Sequence, residues 1–118
     1  MPKLARMHPH LHEPALRAVI DAAPPVAELA RAIRDPGELL ARLVLACGEL
    51  VHGYAEPPDS VARRCAHHRA WGAVRELDRG VLAAKIGRRA PAGIVAKAQR
   101  AVDRADVMVG ALPGVAAG

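Results

Sequence analysis

Residues 35–60 read DPGELLARLVLACGELVHGYAEPPDS, and this stretch decides the fold. Asp35 can cap a helix, Pro36 suits a first helical position, and Glu38 follows three residues after the cap, as in a capping box. Leu39, Leu40, Leu43, Val44, Cys47, Leu50, Val51 and Tyr54 then recur at helical spacing, which keeps an apolar stripe on one side for about four turns. The turn 55–59, Ala-Glu-Pro-Pro-Asp, ends that helix and leaves Asp59 placed to cap the next one. A helix with such a stripe has to lay it against something.

Working outward, the flanking segments read as helices too. Downstream, residues 60–86 make one long helix whose apolar positions are Val61, Cys65, Trp71, Val74, Leu77, Val81, Leu82 and Ile86. Gly72 and Gly80 weaken a lone helix and so point to close helix contacts. Residues 87–91 turn the chain, and a closing helix over 91–112 aligns Ile94, Ala98, Ala101, Val102, Ala105, Met108, Val109 and Leu112 before Pro113-Gly114. Upstream, Pro14 opens a helix whose face carries Leu16, Val19, Ile20 and Ala23. Pro24-Pro25 interrupts it and Val26, Leu29, Ala30 and Ile33 resume, giving one kinked helix or two short ones over 14–34.

Composition agrees with this layout. Ala, Leu, Arg and Glu favour helix, while Phe, Thr and Asn are absent and one Trp and one Tyr are the only aromatics. The 118 residues fit one domain. The expected architecture is therefore all-α: an up-down-up-down antiparallel four-helix bundle over 13–115, its first helix kinked at Pro24-Pro25, behind a flexible tail at 1–12. A core rich in alanine has few large side chains, so close helix packing or burial in an oligomer is also expected. Cys47 and Cys65 lie at similar distances from the turn near residue 57 and read as core thiols.

The charge is uneven. Residues 1–59 carry six Lys/Arg against eight Asp/Glu, whereas residues 60–118 carry eleven against four, so the net +5 comes from the second half. On the third predicted helix, Arg64, His68, Arg75 and Arg79 share a face; on the fourth, Lys97, Arg100 and Arg104 form a stripe; Lys85, Arg88 and Arg89 sit at the connection. Two adjacent antiparallel helices would merge these into one basic surface suited to phosphates. The candidate nucleic-acid-binding residues are Arg64, Arg75, Arg79, Arg88, Arg89, Lys97, Arg100 and Arg104, and the contacts would be to the phosphates of RNA or DNA. The competing reading is a solvated face, since Glu76, Asp78, Asp103 and Asp106 are within reach of several of these arginines.

Enzyme chemistry is not signalled. The sequence has no P-loop, dinucleotide fingerprint, nucleophile elbow, CxxC or HExxH, and Ser60, its one serine, stands at a helix start. His8, His10 and His12 alternate in the tail without carboxylate or Cys support, and His67-His68 are adjacent rather than i, i+4. No catalytic residue, metal site or cofactor is expected. Residues 1–16 lack the apolar core of a signal peptide, and no uncharged run reaches a membrane span, so a cytoplasmic protein without membrane contact is expected.

The layout resembles a bacterial four-helix-bundle family that includes proteins encoded in 23S rRNA intervening sequences and the accessory variability proteins of diversity-generating retroelements. The resemblance spans about residues 13–115. It is carried by LLARLVLACGELVHGYAEPPDSVARRCAHHRAWGAVRELDRGVLAAKI, by the interrupted first helix at Ala23-Pro24-Pro25-Val26, by AGIVAKAQRAVDRADVMVGALPGV, and by Ala70-Trp71-Gly72-Ala73 ahead of Glu76. Leu50-Val51-His52-Gly53-Tyr54 replaces the family's asparagine-bearing segment with its following Glu-Gly, which favours the retroelement branch. The resemblance implies a homopentameric, barrel-like assembly, a basic surface that binds nucleic acid, and a reverse transcriptase as partner. The alternative is a protein–protein adaptor whose basic face docks an acidic partner.

Overall fold

The computed structural model describes residues 9–116. Among these residues every regular element is helical and there is no strand. A 3-10 turn at Pro9–His12 leads into α1 (Pro14–Asp21), α2 (Ala23–Ala32), α3 (Glu38–Ala55), α4 (Val61–Ile86) and α5 (Ala92–Gly110). Of the tail expected at 1–12, residues 1–8, with His8, lie outside the described residues. His10 stacks on the Tyr54 ring at 5.1 Å.

α1 and α2 are the two halves of the interrupted first helix, but the break lies at Ala22 rather than at the prolines. Pro24 and Pro25 fill the opening positions of α2. Without N–H groups they cannot bond the carbonyls of Ile20 and Asp21, and their rings crowd that preceding turn. The ladder therefore tightens two residues early, where the Ala22 N–H is shared between Ala18 and Val19, and resumes with Val26 N–H donating to Ala22.

The chain ends α2 and α4 in the same way. Asp35 N–H donates to Ala30 and Arg34 N–H to Arg31; Arg89 N–H donates to Ala84 and Arg88 N–H to Lys85. Both are Schellman closures, and both put an arginine in the left-handed position, Arg34 at φ 55° and Arg88 at φ 51°. Asp35 caps α3 as expected, its carboxylate accepting from Glu38 N–H at 3.3 Å and Leu39 N–H at 2.8 Å. The rest of the capping box is absent from its expected place. Glu38, not Pro36, is the first helical residue, with Gly37 at φ 106° before it, and the Asp35 amide is already held by Ala30. Ser60, rather than Asp59, caps α4 by accepting from Arg63 N–H at 3.1 Å.

α3 packs along α4, α4 along α5, and α1 and α2 close against both α3 and α5. The core runs through Leu16, Val19, Val26, Leu29, Leu43, Leu50, Val74, Leu77, Val81, Val102 and Val109. α4 contributes alanine where larger residues were expected: Ala66, Ala70, Ala73 and Ala84 face inward, while Val61, Cys65, Leu82 and Ile86 are exposed. Small residues let the helices approach. A β-carbon at Gly53 would collide with the His67 ring, and one at Gly80 would sit 2.6 Å from Leu39 Cδ2. Gly72, expected at such a contact, faces open space. Cys47 is half-buried against the core, with its thiol pushed up by that burial, and both cysteines are free. No helix among the described residues is long and apolar enough to cross a membrane.

Candidate nucleic-acid interface

The eight expected cations are all exposed. The junction of α4 with α5 is acidic. Gln99 Nε2 donates to Asp78 Oδ1 at 2.7 Å and to Asp103 Oδ1 at 2.8 Å, and Trp71 Nε1 donates to Asp106 Oδ1 at 2.8 Å. The seam runs between the α4 arginines and the α5 cations. The face each helix turns to the other thus carries carboxylates between the two cationic stripes.

The α4 arginines are also engaged. Arg79 Nη1 pairs with Glu76 Oε1 at 2.6 Å. The Arg75 guanidinium lies over the Trp71 ring, 4.7 Å from its centroid. Arg64 Nη1 donates to the Asp59 carbonyl at 3.0 Å, and its stem packs against Gly114. Arg89 Nη2 donates at 3.3 Å to the Ile33 carbonyl at the end of α2. Arg64 and Arg89 keep their charge, but each also ties two parts of the fold together.

The remaining four are different. Among the described residues Arg88, Lys97, Arg100 and Arg104 make no ion pair. They cluster around two adjoining hollows on α5. One, of about 670 Å³, has Lys85, Arg88 and Arg100 among its lining residues; the other, of about 510 Å³, is lined by Lys97, Arg100 and Arg104 with Pro24, Pro25 and Glu28. Arg100 belongs to both. The kink between α1 and α2 thus helps shape the second hollow, since the two prolines that cause it form part of its wall. Lys85 is an addition to the expected set; its place at the connection is legible in the sequence, its convergence with Arg100 is not.

The buried polar groups lie elsewhere. His67 is 2% exposed and its Nε2 lies 3.3 Å from the Leu50 carbonyl. Burial holds its pKa below the ordinary histidine value, and Arg63 lowers it further, against the Leu50 hydrogen bond and Glu13, which raise it. Tyr54, edge-on to His67, is pushed up to about 12 by burial and by Glu13, with Arg63 acting the other way. Both groups are therefore uncharged near neutral pH. Arg63 binds the Gly53, Tyr54 and Glu56 carbonyls and so closes the C-terminus of α3. His52 Nε2 lies 3.8 Å from Glu56 Oε1, and His68 Nδ1 lies 3.2 Å from the Val115 carbonyl. Among the described residues, no three His, Cys, Asp or Glu side chains gather to hold a metal ion.

No protein-family model, curated protein or solved structure matches the chain.

Proposed function

We propose that this chain is a non-enzymatic, oligomeric nucleic-acid-binding accessory protein of the cytoplasm. It resembles the accessory variability proteins that assist a reverse transcriptase in diversity-generating retroelements. The observation that carries the reading is the group of unpaired cations Arg88, Lys97, Arg100 and Arg104 around hollows that share Arg100. Exposed cations without internal partners suit phosphate oxygens, and counterion release would drive the binding. In this reading the helices run up-down-up-down. The short connections support that topology, as does the pairing of Gly53, late in α3, with His67, early in α4, and of Gly80, late in α4, with Leu39, early in α3.

The outer face of α3 supports self-association. Val44, Leu45 and Val51 are 67%, 57% and 40% exposed. Ala41, Gly48 and Ala55 share that face and His52 is its one polar residue. An uncharged stripe on a chain of net charge +5 is where two copies meet without repulsion. Five copies is what the family resemblance implies.

Binding of a labelled RNA or DNA strand across a salt series tests the interface. Affinity should fall steeply with salt, and the double substitution R100E/R104E should weaken it by about a hundredfold at low salt. R75E/R79E should weaken it much less, because those two arginines are held by Trp71 and Glu76. Equal losses for the two pairs would place the interface on α4 instead. In the adaptor reading the same unpaired cations dock an acidic protein instead; a partner retained by the wild-type chain after nuclease treatment, and lost on R100E/R104E, would establish it.

A further inference from the structure

The larger hollow on α5 has a composition that phosphate binding alone does not explain. Its floor is aliphatic, made by Ala90, Ala92, Val95 and Ala96, and the cations stand around it. Phosphates need the cations but have no use for an apolar floor. Gln99 also lines it, and with both amide N–H groups taken by Asp78 and Asp103 it leaves a carbonyl oxygen able to accept. At about 670 Å³ the hollow is large enough for a flat ring system, and Arg100 leads from it to the neighbouring hollow with Lys97 and Arg104.

An occupant with one anionic head and an apolar body would need one cation here, not a track of five. From these features we infer that the hollow receives an unpaired nucleobase of a single-stranded nucleic acid, seated on the α5 aliphatic floor, with its flanking phosphates on Lys85, Arg88 and Arg100. The inference rests on the nucleic-acid reading above and narrows it from any duplex or strand to one with bases free to leave the stack. Duplexes hold their bases inward and reach only the cations. The Gln99 carbonyl gives the base edge one hydrogen bond, which any base with an amino or imino N–H can donate, so the slot is tolerant of sequence.

The test compares three probes of about 16 nucleotides by fluorescence anisotropy at low salt: a single strand, its duplex, and a single strand carrying stable abasic tetrahydrofuran sugars throughout. The wild-type chain should bind the intact strand about fivefold more tightly than the abasic one. A96L and A92L fill the hollow without altering charge, and both positions are exposed, so the helical spectrum should be unchanged. Each should bring the intact and abasic strands to equal affinity while keeping the salt dependence. Equal binding of intact and abasic strands by the wild-type chain, or a preference that survives both fillings, overturns the inference and leaves the phosphate interface standing. Absence of binding to all three probes overturns the parent reading together with it. Uptake of a fluorescent fatty-acid analogue that A96L abolishes, with strand binding untouched, assigns the hollow to an apolar anion instead.

Discussion

α3 and α5 are of similar length and both bury one side, but they treat water in opposite ways. α5 is amphipathic: Val95, Ala98, Val102, Ala105 and Val109 face inward, and Lys97, Arg100 and Arg104 face out. α3 buries Leu39, Leu43, Ala46, Leu50 and Tyr54 and then exposes Val44, Leu45 and Val51 on its far side. An inward stripe follows from folding alone, so each inner face explains itself. The outer faces do not follow from folding, and there the two helices diverge into an uncharged surface and a cationic one. In the function proposed above, assembly and ligand binding would each have a helix of its own.

The largest expected effect tests that separation directly. V44K/L45K places two charges on the α3 stripe and should raise the constant for self-dissociation by about a hundredfold, read by native mass spectrometry. The monomer should retain its helical spectrum and its salt-sensitive nucleic-acid binding site. An unchanged oligomer would move the contact surface off α3.

Next come the inner faces. G53A drives a β-carbon into the buried His67 ring and should destabilise the chain by about 3 kcal/mol. On α5, G110A meets only the edge of the Trp71 indole, at 3.1 Å, and should cost about 1 kcal/mol. Chemical denaturation of the two variants measures the difference, and equal values would mean that α3 is no more tightly seated than α5.

The same His67 makes the seat of α3 sensitive to acid. Its folded-state pKa lies below the ordinary value, so the unfolded chain takes up the proton first. Stability should be full above about pH 6.5 and decline as the pH falls from there towards the lowered folded value. The loss should vanish in H67Q, measured as the melting temperature against pH. Tyr54 gives the alkaline counterpart. As the chain's one tyrosine it should ionise near 12 rather than 10, visible in the ultraviolet absorbance, and stability should decline as the pH rises through that interval.

The smallest effect is a gain. Gly48 stands on the outer face of α3, and a β-carbon added there would meet nothing within 4 Å, so G48A should stabilise the isolated helix bundle by about 0.5–1 kcal/mol. In the assembled protein that gain shrinks if a second copy lies close over Gly48, and denaturation at low and high protein concentration separates the two cases.

Much of this was readable in the residues. Pro14, the proline pair, Asp35 and Ser60 mark helix starts by simple backbone chemistry, and the all-α arrangement follows from them. The inner face of α4 was only half readable, because alanine is equally at home inside and outside a helix. The expected stripe packs the core at Val74, Leu77 and Val81, but its ends Val61, Cys65, Leu82 and Ile86 point to solvent, while Ala66, Ala70, Ala73 and Ala84 pack the core. At the candidate interface, the α5 stripe of Lys97, Arg100 and Arg104 was legible from spacing. The acidic seam was not, since it depends on Gln99 meeting Asp78 across two helices, and no local pattern encodes that meeting.

The unequal shelter of the two thiols gives the chain a built-in stopwatch. A thiol-reactive dye added to the folded protein should label exposed Cys65 at the rate of an open cysteine. Half-buried Cys47 should react more slowly, and faster whenever α3 lifts from the core. The slow phase thus reports on one helix in real time, without denaturant and without an added label site, and its rate should rise with every substitution that loosens the seat of α3.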